Sequence, residues 1–355
     1  MRTMMKRTAA ASGAAVMTLV LAACGGGSSS GAGPASSGSS GSLAGQTITL
    51  YNGQHEQTTD ALVKAFEAKT GVDVKVRNDD EDVLAQQIEQ EGTHSPADVF
   101  FTENTPPLAR LDEQGLLSPV DGATLSDVPA KDSATDGNWV GVSARLSMLV
   151  YNTDDLTPSQ LPTSIYDLAD PKWAGKLDIA PGETDFAPIV TSIAEDRGDA
   201  AAVAWLKAIK ENAGSHQDPD NETLVANVNK GVTQLGVINH YYWYRLKEEV
   251  GPGHVHSALA TFANGDDGYL LNVSGAAVLK SSQHQAAAQA LVDFIVSKQG
   301  QKVLTDSDSW EYPLGSGVTN PALPPLSTFH PRNFDLSQIG DGTKAVTLLQ
   351  QAGLL

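Results

Sequence analysis

The chain has 355 residues, 41% hydrophobic and 18% charged, enough for two globular domains with real cores. A formal net charge of −19 argues against nucleic acid or an anionic membrane surface as a partner. The single cysteine excludes an internal disulfide and any cysteine-rich metal site.

Residues 1–23 read as an export signal. Arg2, Lys6 and Arg7 form a basic head, and Ala9 to Ala23 an apolar stretch too short for a comfortable membrane span. It ends Leu21-Ala22-Ala23-Cys24, which resembles the bacterial lipoprotein cleavage box, so Cys24 is the expected lipidation site. Residues 24–45 continue mainly as Gly, Ser and Ala. Such a composition cannot bury a core and reads as a flexible tether.

The folded part starts near Gln46. Thr47 to Tyr51 is an apolar strand, and Thr58 to Lys69 puts Ala61, Leu62, Ala65 and Phe66 on one helical face. Val72 to Val76 alternates as a strand, Val83 to Ile88 is helical as far as Gly92, and Ala97 to Phe101 is a third strand. Pro107 to Gln114 is a helix stopped by Gly115. This β-α-β-α-β-α order predicts an α/β fold with a mostly parallel sheet flanked by helices. Trp139 to Tyr151 is a long extended run, a candidate crossover between lobes. Lys176 to Ile179 is a strand, Phe186 to Glu195 and Asp199 to Ala213 are helices, and Asn221 is read as the cap of another helix through Val228. Gly275 to Leu279, a helix from Ala286 to Val296 and a last helix from Thr343 to Gln351 complete the pattern. Trp173 and Trp205 are expected in cores.

The run Val237-Ile238-Asn239-His240-Tyr241-Tyr242-Trp243-Tyr244 stands apart. A strand enters it from about Gln234, and a helix leaves it from Tyr241 towards a stop at Gly251. Adjacent side chains on a strand point to opposite faces, so both phenols can converge only if the backbone bends there. With a pKa near 10, phenols stay neutral unless a strong cation draws off the protons, as a hard ion such as ferric iron does. Packing in a core is the competing reading.

Ligands of α/β sheets sit beyond the carboxyl ends of the strands. Past three such ends come Asn52-Gly53-Gln54-His55, Thr102-Glu103-Asn104 and Asn239-His240-Tyr241-Tyr242. One imidazole, one carboxylate and two phenols thus fall at equivalent places, an oxygen-rich donor set that suits ferric iron.

Tyr51-Asn52-Gly53-Gln54-His55, Pro96 to Phe100 with Thr102-Glu103, Asn239 to Trp243, Ser274 to Ser282 and Glu311-Tyr312-Pro313-Leu314 resemble the bacterial ferric-ion-binding proteins, the receptors of iron-uptake ABC transporters. The resemblance spans roughly residues 47–315. It implies a two-lobed, hinged periplasmic-binding-protein fold, with residues 46–145 plus 272–322 in the first lobe and 146–271 plus 323–355 in the second. It implies Fe(III) held by His55, Glu103, Tyr241 and Tyr242, with Asn221 and Asn239 near a synergistic anion; Asn104, next to Glu103, is a further candidate for the metal or anion site. It also implies an ABC permease as partner and no catalytic activity. The expected state is an extracytoplasmic monomer, lipid-anchored to the cell membrane. Gln54 and Asn52 are candidates to orient His55.

The chain departs from that family at Pro181-Gly182-Glu183-Thr184-Asp185-Phe186, where better-known members have a small-residue turn that grips a phosphate-like anion. Here Glu183 and Asp185 would repel an anion. Either Thr184 or Asp185 caps a helix, or Glu183 or Asp185 gives the iron an oxygen itself. Two rival functions remain: the same fold holding an organic solute such as a polyamine or sugar phosphate, and a non-haem iron oxygenase, which would need two histidines and a carboxylate. His216, His254, His256, His284 and His330 are read as surface or loop residues. His240 lies closer, at a position the family's ligand pattern skips.

Overall fold

The computed structural model describes residues 43–333 and 339–355; the export signal, Cys24 and the tether up to residue 42 lie outside them. Ten strands join in one mixed sheet: β1 (Thr47–Gly53), β2 (Asp73–Asn78), β3 (Val99–Thr102), β4 (Leu117–Ser118), β5 (Val140–Asn152), β6 (Leu177–Asp178), β7 (Leu235–Asn239), β8 (Ser257–Ala260), β9 (Leu271–Leu279) and β10 (Tyr312–Pro313). Its main order is β2-β1-β3-β9-β5-β7-β6. The helices are α1 (Glu56–Thr70), α2 (Glu81–Glu91), α3 (Pro106–Glu113), α4 (Gly122–Ser126), α5 (Ala187–Arg197), α6 (Asp199–Ala213), α7 (Asn221–Asn229), α8 (His240–Val250), α9 (Gln285–Val296), α10 (Lys298–Thr305) and α11 (Thr343–Ala352).

The first three strand–helix units form as their periodicity predicts. β1 pairs in parallel with β2 and β3, and β6 with β7. The pairings of β5 and β9 are antiparallel, because these strands carry the chain across the molecule and back. α1 buries Leu62, Val63 and Phe66, each contributing about 1.5–3 kcal/mol, and ends on left-handed Gly71, whose N–H bonds Glu67 O. α2 starts on Asp80, whose side chain accepts from Asp82 N and Val83 N. Gly53 is required where β1 ends: a Cβ there would stand 2.5 Å from Glu81 Cβ.

β5 organises the rest. All of its residues are buried, as expected of a strand covered on both faces. Val140 to Leu146 pair with β9, and Ser147 to Tyr151 with β7, so the strand changes partners between Leu146 and Ser147. α11 packs on α5 and α6. Trp173 and Trp205 are buried, as read from the sequence.

Several boundaries differ from the sequence reading. Asn221 does not cap α7: Asp220 stands one residue earlier and accepts from Thr223 N, the stronger arrangement for a carboxylate at a helix start. β8, β10 and α10 are too short or too weakly periodic to stand out in the sequence. The strand-to-helix bend lies at Asn239, so Tyr241 and Tyr242 both sit in the first turn of α8.

Candidate metal centre

Five chain segments meet at one point. His55 sits at the junction of β1 and α1, where its side chain makes no capping bond. Its Nε2 lies 3.5 Å from Glu103 Oε1, just past β3, and 3.8 Å from Glu311 Oε1, just before β10. That Nε2 is buried without a hydrogen-bond partner, so its lone pair or proton faces the carboxylates. Tyr241 donates its phenol proton to Glu103 Oε1 at 2.6 Å and lies 3.3 Å from Asp185 Oδ2. The Tyr242 phenol faces the same carboxylate and favours its charged form. His55, Glu103 and Glu311 can bring one ligand atom each within 4.8 Å of one another.

The tyrosines satisfy both readings of their run at once. Their rings join a small core with Leu224, Val225, Val228, Ile238 and Leu246, while their hydroxyls face the carboxylates. The ring centroids are 4.1 Å apart, and Arg245 lies over the Tyr241 ring. The burial of the rings fixes where the oxygens point.

The charge balance is unusual for an interior. Glu81, Asp185 and Glu311 are buried, Glu103 is half-buried, fully buried Arg145 stands among them, and half-buried Arg245 faces them from α8. Arg145 donates to Asn104 Oδ1 at 2.5 Å and lies 3.8 Å from Asp185 and 3.9 Å from Glu311. Burial works against its charge, but Glu103, Glu311 and Asp185 outweigh this and raise its pKa. Burial first, then Glu103, raises the Glu81 carboxyl well above its usual range. Burial lifts Glu311 to about 7 and Asp185 to about 6, despite the opposing Arg145. Burial, then Asp185 and Glu103, holds both phenols well above their ordinary pKa. Burial, with Arg245 and Arg145 nearby, pushes His55 well below its usual value, so the imidazole is neutral at neutral pH. The cleft thus presents a neutral imidazole, protonated phenols and excess carboxylate. Such a set is unfavourable alone and is relieved by a compact, highly charged cation.

The bacterial extracellular solute-binding protein family model matches residues 94–337. An Fe(3+)-binding periplasmic protein of Serratia marcescens is 39% identical over 319 residues, covering 90% of this chain and 94% of that protein. A major ferric iron-binding protein of Neisseria meningitidis is 37% identical, covering 86% and 93%. The structure of iron-bound HitA from Pseudomonas aeruginosa superposes with a TM-score of 0.82 at 40% identity, covering 87% of this chain and 99% of that one.

The chain belongs to the bacterial ferric-ion-binding proteins.

As in that group, the architecture is two-lobed α/β. Of the further donors considered from this receptor's sequence, Asp185 reaches the phenols. Glu183 is half-buried at the edge, its carboxyl raised to about 8 by burial and by Asp185. Neither Thr184 nor Asp185 caps a helix: the short turn Thr184–Phe186 begins on Glu183, and α5 on Phe186, without a side-chain capping bond. Asn104 is fully engaged, donating to Glu81 at 2.9 Å and to Thr184 at 3.0 Å while accepting from Arg145. Asn239 accepts from Asn272 at 3.0 Å, and Asn221 lines a small cavity beside Asp185. Gln54 accepts from the His55 backbone N–H rather than from the ring, and Asn52 supports Gln54 and Asn78. His240 is buried behind the site, its Nδ1 accepting from Leu146 N and its ring stacked on Tyr312.

Sequence reasoning passed over Glu81, Arg145 and Glu311. Arg145 carried a signal, since a charge inside a thirteen-residue buried strand must have partners. Glu311 lay within the quoted Glu-Tyr-Pro-Leu stretch, but nothing local says that it points at His55.

Proposed function

We propose that this protein is an extracytoplasmic ferric-iron receptor that delivers Fe(III) to an ABC permease, with His55, Glu103, Tyr241 and Tyr242 as its protein ligands. The observation that carries this reading is the meeting of Glu103 Oε1 with His55 Nε2 at 3.5 Å and with the Tyr241 hydroxyl at 2.6 Å. A ferric ion here displaces the phenol protons and takes neutral imidazole and carboxylate oxygen directly. Residues 46–145 with 272–322 would form the lobe bearing His55 and Glu103, and residues 146–271 with 323–355 the lobe bearing the tyrosines. Metal would staple the lobes together, and the permease would recognise the closed form.

Asp185 is the candidate additional donor. Its buried carboxylate lies 3.3 Å from the Tyr241 phenol and faces that of Tyr242, and with Glu103 and Glu311 it makes the cleft hostile to phosphate. Asp185 would therefore occupy the position that an exogenous anion takes elsewhere. A sugar phosphate meets the same repulsion. Lipidation at Cys24, ahead of the Gly/Ser tether, would hold a monomeric receptor at the membrane. Mass spectrometry of the native protein tests the anchor: a diacylglycerol adduct on Cys24 is expected, and an unmodified thiol would rule it out. Titration with ferric nitrilotriacetate tests the receptor reading: wild type should develop a phenolate-to-iron visible band, and a colourless protein would rule it out.

A further inference from the structure

The segment between α10 and β10 holds the one non-glycine residue with positive φ among the described residues, Trp310 at 55°. Few large side chains accept that conformation unless the surroundings impose it. Here the surroundings are α8. The Trp310 ring stacks on Tyr244, with centroids 5.0 Å apart and planes 16° from parallel, and its Nε1 donates to Glu248 Oε2 at 3.2 Å. Two residues earlier, Asp308 O accepts from Arg245 Nε at 3.0 Å. The next residue turns the other way: Glu311 runs inward to Ser143, Arg145 and His55.

On α8 the gripped residues are not scattered. Tyr244, Arg245 and Glu248 follow Tyr241 at helical spacings of three, four and seven, so all share one face. The face that aims the Tyr241 phenol at Glu103 is therefore the face that Trp310 and Asp308 hold. β10, which anchors the other end of the segment, pairs with Ser143 and Ala144 of β5, on the half of that strand bonded to β9. The segment thus ties α8 to the part of the sheet that carries His55 and Glu103.

We propose that Trp310 is a positioning residue for metal retention: it clamps α8 across the cleft, holds the phenols over the carboxylates and slows release of the bound ion. The left-handed turn at Trp310 lets one short segment send an indole out to the helix and a carboxylate in to the site. This rests on the ferric reading above, and the test separates the two.

Wild type, Trp310→Ala, Trp310→Phe and Tyr244→Leu are loaded with ferric nitrilotriacetate and challenged with excess EDTA, following decay of the visible band. Losing one aromatic stack and one hydrogen bond should speed release on the order of tenfold in Trp310→Ala. Trp310→Phe, which keeps a ring, should fall between it and wild type. Tyr244→Leu, which removes the stacking partner from the opposite side, should release faster than wild type and serves if Trp310→Ala does not fold. The metal-free unfolding midpoints should not follow the order of the release rates. Equal release rates in wild type and the ring-removing variants would overturn the clamp while leaving the receptor intact. Release rates that merely track metal-free stability would overturn it too. Absence of any band in wild type would remove the receptor reading instead.

Discussion

Tyr241 donates its phenol proton to Glu103 across 138 residues of sequence, at 2.6 Å. The same carboxylate oxygen faces the buried imidazole of His55. One oxygen therefore links both sides of the cleft before any ion arrives. A cation placed there would replace the phenol proton. Glu103→Gln keeps the shape and removes the charge, so it should weaken ferric affinity by more than the ten- to hundredfold typical of outer partners. Competition titration against citrate checks this; an affinity within threefold of wild type would exclude Glu103 as a ligand.

The phenols set the pH dependence. Their pKa values are raised by burial, then by Asp185 and Glu103, so both are protonated in the metal-free protein across the neutral range. Ligation by both phenolates would release those protons, so affinity should fall as pH falls, by roughly a hundredfold per unit for two phenols. Glu311 and Asp185, with pKa values raised to about 7 and about 6, add to the proton release at and below those pH values. Competition titrations from pH 8 to pH 5 against a chelator of known protonation should show a slope of about two or steeper. A flat profile would contradict phenolate ligation.

Asp185 is the proposed replacement for an exogenous anion. Wild type should bind ferric ion with little dependence on added phosphate or carbonate. Asp185→Asn removes a charged oxygen that faces both phenols, so binding should weaken and gain an anion requirement. The double change of Glu183 and Asp185 to Ala should do no more than Asp185→Ala alone, since Glu183 is at the edge of the site. Affinity measured with and without phosphate checks both. A strong phosphate requirement in wild type, unchanged in Asp185→Asn, would return Asp185 to a structural role.

Arg145 is the fully buried counter-charge among these carboxylates. Removing one partner from a buried ionic cluster leaves the others uncompensated and costs about 3–5 kcal/mol. Arg145→Met should lower the metal-free unfolding midpoint strongly, and ferric ion should restore more stability to the variant than to wild type. Calorimetry with and without ferric nitrilotriacetate checks this. An unchanged metal-free midpoint would mean that the carboxylates are neutral without it.

Much of this arrangement is local enough to read from the sequence. Strand ends place His55, Glu103 and the tyrosines, and the apolar run from Val140 places the crossover. What stays hidden depends on partners far apart in the chain. Arg145 acquires its role from Asn104, Asp185 and Glu311, and the short strand that delivers Glu311 has no periodicity of its own. Trp310 reads as one more aromatic residue until its backbone angle is seen. Asn221 was displaced as a cap because the competing Asp220 lies next to it, a choice between two good caps that composition alone does not settle.

The most direct test compares the visible spectra of wild type, Tyr241→Phe and Tyr242→Phe during titration with ferric nitrilotriacetate. Each variant keeps its ring in the α7–α8 core and loses one oxygen, so folding should persist, checked by circular dichroism. Wild type should show an intense phenolate-to-iron band. Each variant should lose much of that band and bind at least a hundredfold more weakly, on the scale of a lost metal ligand. Bands and affinities equal to wild type in both variants would contradict the assignment of this cleft as a ferric site.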